Sequence, residues 1–387
     1  MKEIRPLTSL RAFAAFLVFM YHYANLFPPA ARGVAHFPGE WIPLRFLWSQ
    51  GQVGVSMFFV LSGFLITRIY YDSFAEGRAS LRLFLIKRVA RIWPLFLAFA
   101  AIQHGTRLLA GGHMDATWWV TLSMTQGFFE HLRYEGLPTA WSLTIEESFY
   151  VLAPALFLLL AGVRAPRRPS PADWARIVMH VAAVTVGLLA LGAAGHRLAA
   201  AQGWDWQGLL GSRDHVLRAT LFGRFPEFAV GVLAAFVHRT GELPRRLGGG
   251  RAAWLATGTA AAVLAALAGK AALAGAAGVG AALGTVVLTY AVAVLTGVLI
   301  LALSVGGSRL HAALGWEPFV YLGRVSYGFY LIQLTVMMDP LLALTDRLGP
   351  ARLPALFLLT NLACASFYEL LESPARAWIV ARWGRRD

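Results

Sequence analysis

The chain has 387 residues, of which 58% are hydrophobic and 14% charged, against about 25% charged in an average soluble domain. Thirty-four Lys and Arg against 20 Asp and Glu leave a formal charge of +14. These figures exclude intrinsic disorder and a fully solvated globular surface. A nucleic-acid binder would also be basic but would not need so much apolar sequence, so the pattern points to an all-α, multi-spanning membrane protein.

A transmembrane helix needs about 20 mostly apolar residues. Ten stretches qualify: 8–27, 52–71, 92–111, 139–161, 176–196, 218–238, 252–274, 281–305, 317–338 and 352–373. The apolar run 118–129 is too short and reads as an interfacial or re-entrant helix. Lys2 and Arg5 precede the first span. The even-numbered connections then carry Arg78, Arg82, Lys87, Arg88 and Arg91; Arg164, Arg167 and Arg168; Arg239, Arg245, Arg246 and Arg251; and Arg309. Arg376, Arg382, Arg385 and Arg386 follow the last span. Odd-numbered connections are poorer in net positive charge: 112–138 balances Arg133 with Asp115, Glu130 and Glu135. The positive-inside rule then predicts about ten transmembrane helices with both termini cytoplasmic. A His in the first apolar core and the lack of an A-x-A site favour a span over a signal peptide there. The chain 1–387 reads as a single transmembrane domain with no fused soluble domain, and 252–284 as Ala/Gly-rich, closely packed helices. The single cysteine, Cys364, excludes an intramolecular disulfide and a cysteine metal cluster, and its apolar setting favours an inert buried thiol. No metal-binding motif, P-loop or G-x-G-x-x-G occurs.

Ionisable groups at membrane depth are costly and are functional candidates. Arg11 and His22 are 11 residues apart on the first span, close to three helical turns, so they share one face about 16 Å apart along the axis. The same spacing also fits a structural interfacial Arg with a hydrogen-bonded His. The fourth span opens Trp141-Ser142-Leu143-Thr144-Ile145-Glu146-Glu147-Ser148-Phe149-Tyr150. Glu146 and Tyr150 are four apart and share a face, though an acid here is also favoured by the helix dipole alone. In the sixth span Arg224 and Glu227 flank Pro226 and are spaced to pair. The ninth holds Tyr327 and Gln333, and a lone amide is also common interhelical glue. Topology puts His22, Glu146 and Glu227 at similar depth in the outer half. A His with a carboxylate partner makes a workable general base for a hydroxyl nucleophile. Arg88 and Arg91, three apart before Trp93 and Pro94 on the cytoplasmic side, suit bidentate phosphate recognition, or equally plain topological charge or anionic-lipid contact.

Taken in order, these motifs resemble membrane-bound acyltransferase family 3 nearly end to end. They are the Leu7–Ala12 run with the Arg11/His22 pair, Phe58–Thr67 (FFVLSGFLIT), Arg88/Arg91 in KRVARIWP and Trp141–Tyr150. RFPEFAVG at Arg224–Gly231, Gly323–Leu331 and the Glu372/Pro374/Arg376 motif complete the set. The resemblance implies an O-acyltransferase of the bacterial inner membrane with no tightly bound cofactor. Its donor would be a cytoplasmic acyl-CoA, acetyl-CoA first. Its acceptor would be a hydroxyl of a sugar, envelope glycan or secondary metabolite. It implies His22 as general base or transient acyl carrier, with Glu146 and Glu227 assisting in the membrane. Arg11 would hold the donor or its thioester region, and Arg88 and Arg91 the CoA phosphates. Trp141, Tyr150, Tyr327 and Gln333 are the expected substrate-binding residues. Many relatives carry His where this chain has Gln333. Glutamine is no base at neutral pH, which leaves His22 as the catalytic candidate. Some relatives add a hydrolase-like domain after the last span. With about 14 residues following it here, the chain is expected to act alone or to pass the acyl group to a separate periplasmic transferase. The alternative from another class is a transporter or flippase of a lipid-linked glycan, whose proton relay would use the same buried His and Glu residues.

Overall fold

The computed structural model describes residues 3–26, 48–161, 169–204, 206–248, 250–273, 279–305 and 309–384. Lys2, Arg164, Arg167, Arg168, Arg385 and Arg386 lie outside the described residues. The described fold is helical: α1 (Arg5–Leu26), α2 (Val53–Ala75), α3 (Leu81–Leu109), α4 (Ala116–Leu122), α5 (Trp141–Ala161), α6 (Pro171–Ala201), α7 (Arg213–Ala219) and α8 (Leu221–Arg239). These are followed by α9 (Arg251–Leu273), α10 (Val279–Ser304), α11 (Arg309–Leu314), α12 (Glu317–Leu331), α13 (Asp339–Thr345), α14 (Arg352–Phe367) and α15 (Ser373–Trp383).

Among the described residues, seven helices are long and apolar enough to cross a membrane, or eight if one bent pair counts as a single span. The protein is therefore an all-α, multi-pass membrane protein. The first and third expected spans are helical as α1 and α3, but fall short of that apolarity. Arg11 and His22 dilute α1, and Lys87, Arg88, Arg91 and Arg107 dilute α3. The ninth is broken: Glu317–Leu331 and Val336–Gly349 meet at 116°. Between them Leu334 takes φ +63° and Thr335 is extended, and neither conformation continues a right-handed helix. The tenth runs unbroken from Arg352 to Trp383 through a π turn at Tyr368–Glu372. Arg376 and Arg382 are thus helical rather than part of a tail. The run 118–129 holds only the short α4 and a 3-10 turn, Gln126–Phe128.

The chain divides into two compact units, Met1–Arg68 with Glu227–Tyr330 and Leu341–Asn361, and Ile69–Pro226 with Leu331–Pro340 and Leu362–Asp387. In the first, small residues let backbones touch. A Cβ on Gly54 would overlap the Ala14 carbonyl of α1, one on Gly63 that of Phe228, one on Gly231 that of Val60, and one on Gly323 that of Thr8. Helices α1, α2, α8 and α12 are therefore in direct backbone contact at those levels. Phe16 and Phe19 of α1 add edge and tilted contacts to Phe329 and Phe357, 5.3–5.7 Å between centroids. The N-terminus of α1 is anchored by Arg5, which pairs with Glu317 and donates from Nε to the Gly315 carbonyl at 2.9 Å.

In the second unit, Gln126 is fully buried and donates its amide to the carbonyls of Arg133 and Leu137, both at 2.9 Å. Gly127 N–H donates to Thr144 Oγ1 at 3.1 Å, and its lack of a Cβ lets it sit against the Trp141 carbonyl. The 126–140 segment is thus seated on the first turn of α5, ahead of Glu146.

Candidate functional site

The first unit holds Arg11, His22, Glu227 and Tyr327. Arg11 and His22 are half-buried on α1, and His22 lies between the rings of Tyr21 and Tyr23 at 5.5 and 6.4 Å. Glu227 is 1% exposed on α8, one residue before Phe228, which stacks on Phe59 at 4.8 Å. That stack, with Gly63 and Gly231, sets the position of the Glu227 backbone. Tyr327 is buried on α12, one residue after Ser326, whose hydroxyl donates to the Gly323 carbonyl at 2.8 Å.

The second unit holds Arg88, Arg91, Trp141, Glu146, Tyr150 and Gln333, and brings several of them together. The Arg88 guanidinium lies over three rings, Tyr70 at 5.4 Å, Tyr150 at 5.5 Å and Phe84 at 5.9 Å. Its Nη2 donates to Tyr70 Oη at 3.1 Å. Tyr150 in turn donates its hydroxyl to Glu146 Oε1. Glu147, the next residue, feels the charges of both Glu146 and Arg88. Its Oε1 is buried without a hydrogen-bond partner among the described residues. The cluster is one guanidinium held by cation–π contacts, beside two carboxylates and two phenols. Gln333 is fully buried just beyond α12. Nearby, Thr139 Oγ1 donates to the Leu331 carbonyl at 3.2 Å. Trp141 is half-buried at the start of α5.

Two features differ from the sequence expectation. Arg88 was expected on the cytoplasmic side, ahead of the span 92–111, and Glu146 in the outer half. Instead α3 begins at Leu81, where Ser80 Oγ accepts from Leu83 N–H at 3.3 Å. Arg88 is therefore well inside the helix, and its side chain reaches Tyr150. Tyr70 and Phe84, which complete the aromatic cage, were not singled out. The i, i+4 spacing of Phe84 and Arg88 is a sequence signal for Phe84; Tyr70, on α2, has none.

Outside the spanning segments, the loops of the second unit are joined by Glu130. Its carboxylate accepts from Ser212 N–H at 2.7 Å and Ser212 Oγ at 2.8 Å. A single antiparallel bridge joins Phe129 to Leu209 beside it. Partial burial pushes the Glu130 pKa up. The two Ser212 hydrogen bonds and the charges of His215 and Arg133 outweigh this and hold it below the usual range. Asp115, paired with Arg107 at 2.7 Å, behaves alike. Desolvation raises its pKa, and the Thr117 hydrogen bonds and Arg107 bring it below its ordinary value.

A family model described as an acyltransferase domain, of acyltransferase family 3, matches residues 6–369. The peptidoglycan O-acetyltransferase OatA of Listeria monocytogenes is 28% identical over 183 residues, 43% of this chain and 26% of that protein. The O-acetyltransferase OatA of Staphylococcus aureus is 29% identical over 176 residues, 42% of this chain and 26% of that protein. The match thus spans about a quarter of the length of these relatives. No solved structure matches.

Proposed function

This chain belongs to acyltransferase family 3, and on that premise we propose that it O-acylates a hydroxyl of a sugar or envelope glycan. The acyl group, acetyl first, comes from a cytoplasmic acyl-CoA and crosses a bacterial inner membrane. In this reading the chain makes about ten crossings, the more polar α1 and α3 among them, with both termini cytoplasmic. It forms a single transferase domain. Membership of an acyltransferase family supports enzymatic acyl transfer in general, and relatives named as O-acetyltransferases support the acetyl group and the hydroxyl acceptor.

The observation that carries the proposal is the pair Arg11 and His22 on one face of an otherwise apolar helix. The backbone of that helix is held by close contacts to Gly54 and Gly323. Close packing of that helix suits proton transfer at its imidazole, which depends on geometry first and pKa second. The acceptor oxygen attacks the thioester carbonyl carbon and the C–S bond breaks. The hydroxyl proton passes to the His22 imidazole and from there to the departing CoA thiolate. If His22 is instead an acyl carrier, its nitrogen attacks the thioester carbonyl carbon, the C–S bond breaks and CoA thiolate leaves with the imidazole proton; the acceptor hydroxyl then takes the acyl group and its proton returns to the imidazole. Arg11 would hold the thioester region, and Arg88 and Arg91 the phosphates. Glu146 and Glu227 would orient or charge-balance the reacting groups, and Trp141, Tyr150, Tyr327 and Gln333 would line the substrate path.

His22→Ala is expected to lower acyl transfer by the factor typical of a lost general base, roughly 10²–10⁴, while the protein still inserts. Transfer at the wild-type rate by purified His22→Ala protein would sink the mechanism. Mass spectrometry of envelope glycans with and without the gene gives the acyl group and the acceptor together. Transfer of radiolabelled acetyl onto the protein before acceptor is added would select the carrier form.

A further inference from the structure

The Glu372/Pro374/Arg376 motif has no role in the reading above, yet its place in the second unit is specific. The Phe367 ring packs edge-on against Phe99 of α3, 5.0 Å between centroids. Further along, Ile379 and Trp383 of α15 share one groove with Leu81, Leu85, Ile86 and Val89 of α3. Residue numbers rise on one helix as they fall on the other, so the two run antiparallel. Arg376, nine residues past Phe367, is then level with Ala90, nine residues before Phe99. The π turn at Tyr368–Glu372 displaces that register by about one residue. Arg376 therefore stands level with the turn that carries Arg88 and Arg91.

Independently of register, the Arg376 guanidinium is partly desolvated and also feels the charges of both Arg91 and Arg88. Three guanidiniums at one level repel one another. Arg88 has already committed Nη2 to Tyr70 and its face to aromatic rings. Arg376 is the most exposed residue of the three and takes no part in that cage. A ligand carrying several phosphate oxygens relieves the repulsion and matches the planar donor fork of arginine.

We infer that Arg376 is the third guanidinium of a phosphate-binding site on the α3–α15 pair, acting with Arg88 and Arg91 on the 3′-phosphate and pyrophosphate of the CoA donor. This rests on the acyl-CoA reading above. The shared chemistry is a phosphate group, and an anionic phospholipid headgroup, its acyl chain in the neighbouring apolar groove, is the other source of it.

The test uses the full-length protein, purified in detergent and in lipid nanodiscs. Acetyl-CoA and dephospho-CoA affinities are measured for wild type, Arg376→Gln, Arg376→Lys and the control Arg382→Gln on the same helix. Arg376→Gln is expected to weaken acetyl-CoA about tenfold or more, the loss of one charge-assisted contact. Arg376→Lys should fall between, and Arg382→Gln should match wild type. Wild-type affinity in Arg376→Gln overturns the inference and leaves the donor reading intact. If Arg376→Gln does not fold, Arg376→Lys decides, since wild-type affinity there overturns the need for a guanidinium fork. If wild type itself does not bind acetyl-CoA, the donor reading fails. Retention of phosphatidylglycerol over phosphatidylcholine in nanodiscs then decides: loss of that preference in the Arg376 variants supports the phosphate site with lipid as its source, and an unchanged preference overturns it.

Discussion

Arg88 illustrates how far a single side chain can be read from its neighbours in sequence. The R-x-x-R spacing marks it as an anion-binding candidate. Its actual surroundings are the rings of Tyr70, Phe84 and Tyr150, with Glu146 hydrogen-bonded to the last of these. Three of those four groups come from other helices, so no local pattern lists them. Gly323 makes the complementary case, because nothing in its local sequence shows that the Thr8 carbonyl occupies the space of its missing side chain. Gly323→Ala is expected to destabilise by about 1–3 kcal/mol through overpacking. Gly105→Ala on α3, where a Cβ meets nothing within 4 Å, should be neutral or slightly stabilising. Thermal unfolding of the two variants in the same detergent checks the contrast, and equal shifts would contradict the packing argument.

At the scale of elements, apolar periodicity located most helices to within a few residues, because burial in lipid is a property of consecutive residues. Breaks were less legible. The 116° bend after Leu331 turns on the left-handed backbone of Leu334, a leucine with no intrinsic preference for it. The register that levels Arg376 with Arg88 is shifted by the π turn at Tyr368–Glu372, for which Pro374 just beyond it is the only local signal. Loop assembly is likewise tertiary: Glu130 and Ser212 are 82 residues apart. Because the Glu130 pKa is lowered in the folded protein, its stabilising contribution is present above the unfolded value of about 4.3 and is lost as pH falls through the lower folded value. Glu130→Ala should therefore remove part of the acid-side fall in thermal midpoint seen for wild type. Superimposable pH profiles for the two proteins would show that the Ser212 contacts carry no linkage.

For the molecule as a whole, most of the +14 charge is proposed to be topological, with only Arg11, Arg88, Arg91 and Arg376 assigned to the donor. Cys364, 1% exposed, should resist a membrane-impermeant maleimide until the protein is denatured. In a Cys364→Ala background, Glu76→Cys should label from the cytoplasmic face and His113→Cys from the opposite face. Labelling of both from one side would overturn the proposed orientation.

From its amino acids alone, this chain could be assigned to helical membrane proteins, and its rare intramembrane charges could be picked out and matched to an acyltransferase family. Those features depend on hydrophobicity summed over about 20 neighbouring residues and on short ordered motifs, both local in the chain. Tertiary structure decided the aromatic cage around Arg88, the glycine contacts that hold α1, the broken ninth span and the levelling of Arg376 with Arg88 and Arg91. Each of these depends on groups far apart in sequence meeting at contact distance. That is set by which helices pack together and in what register, a property no single segment carries.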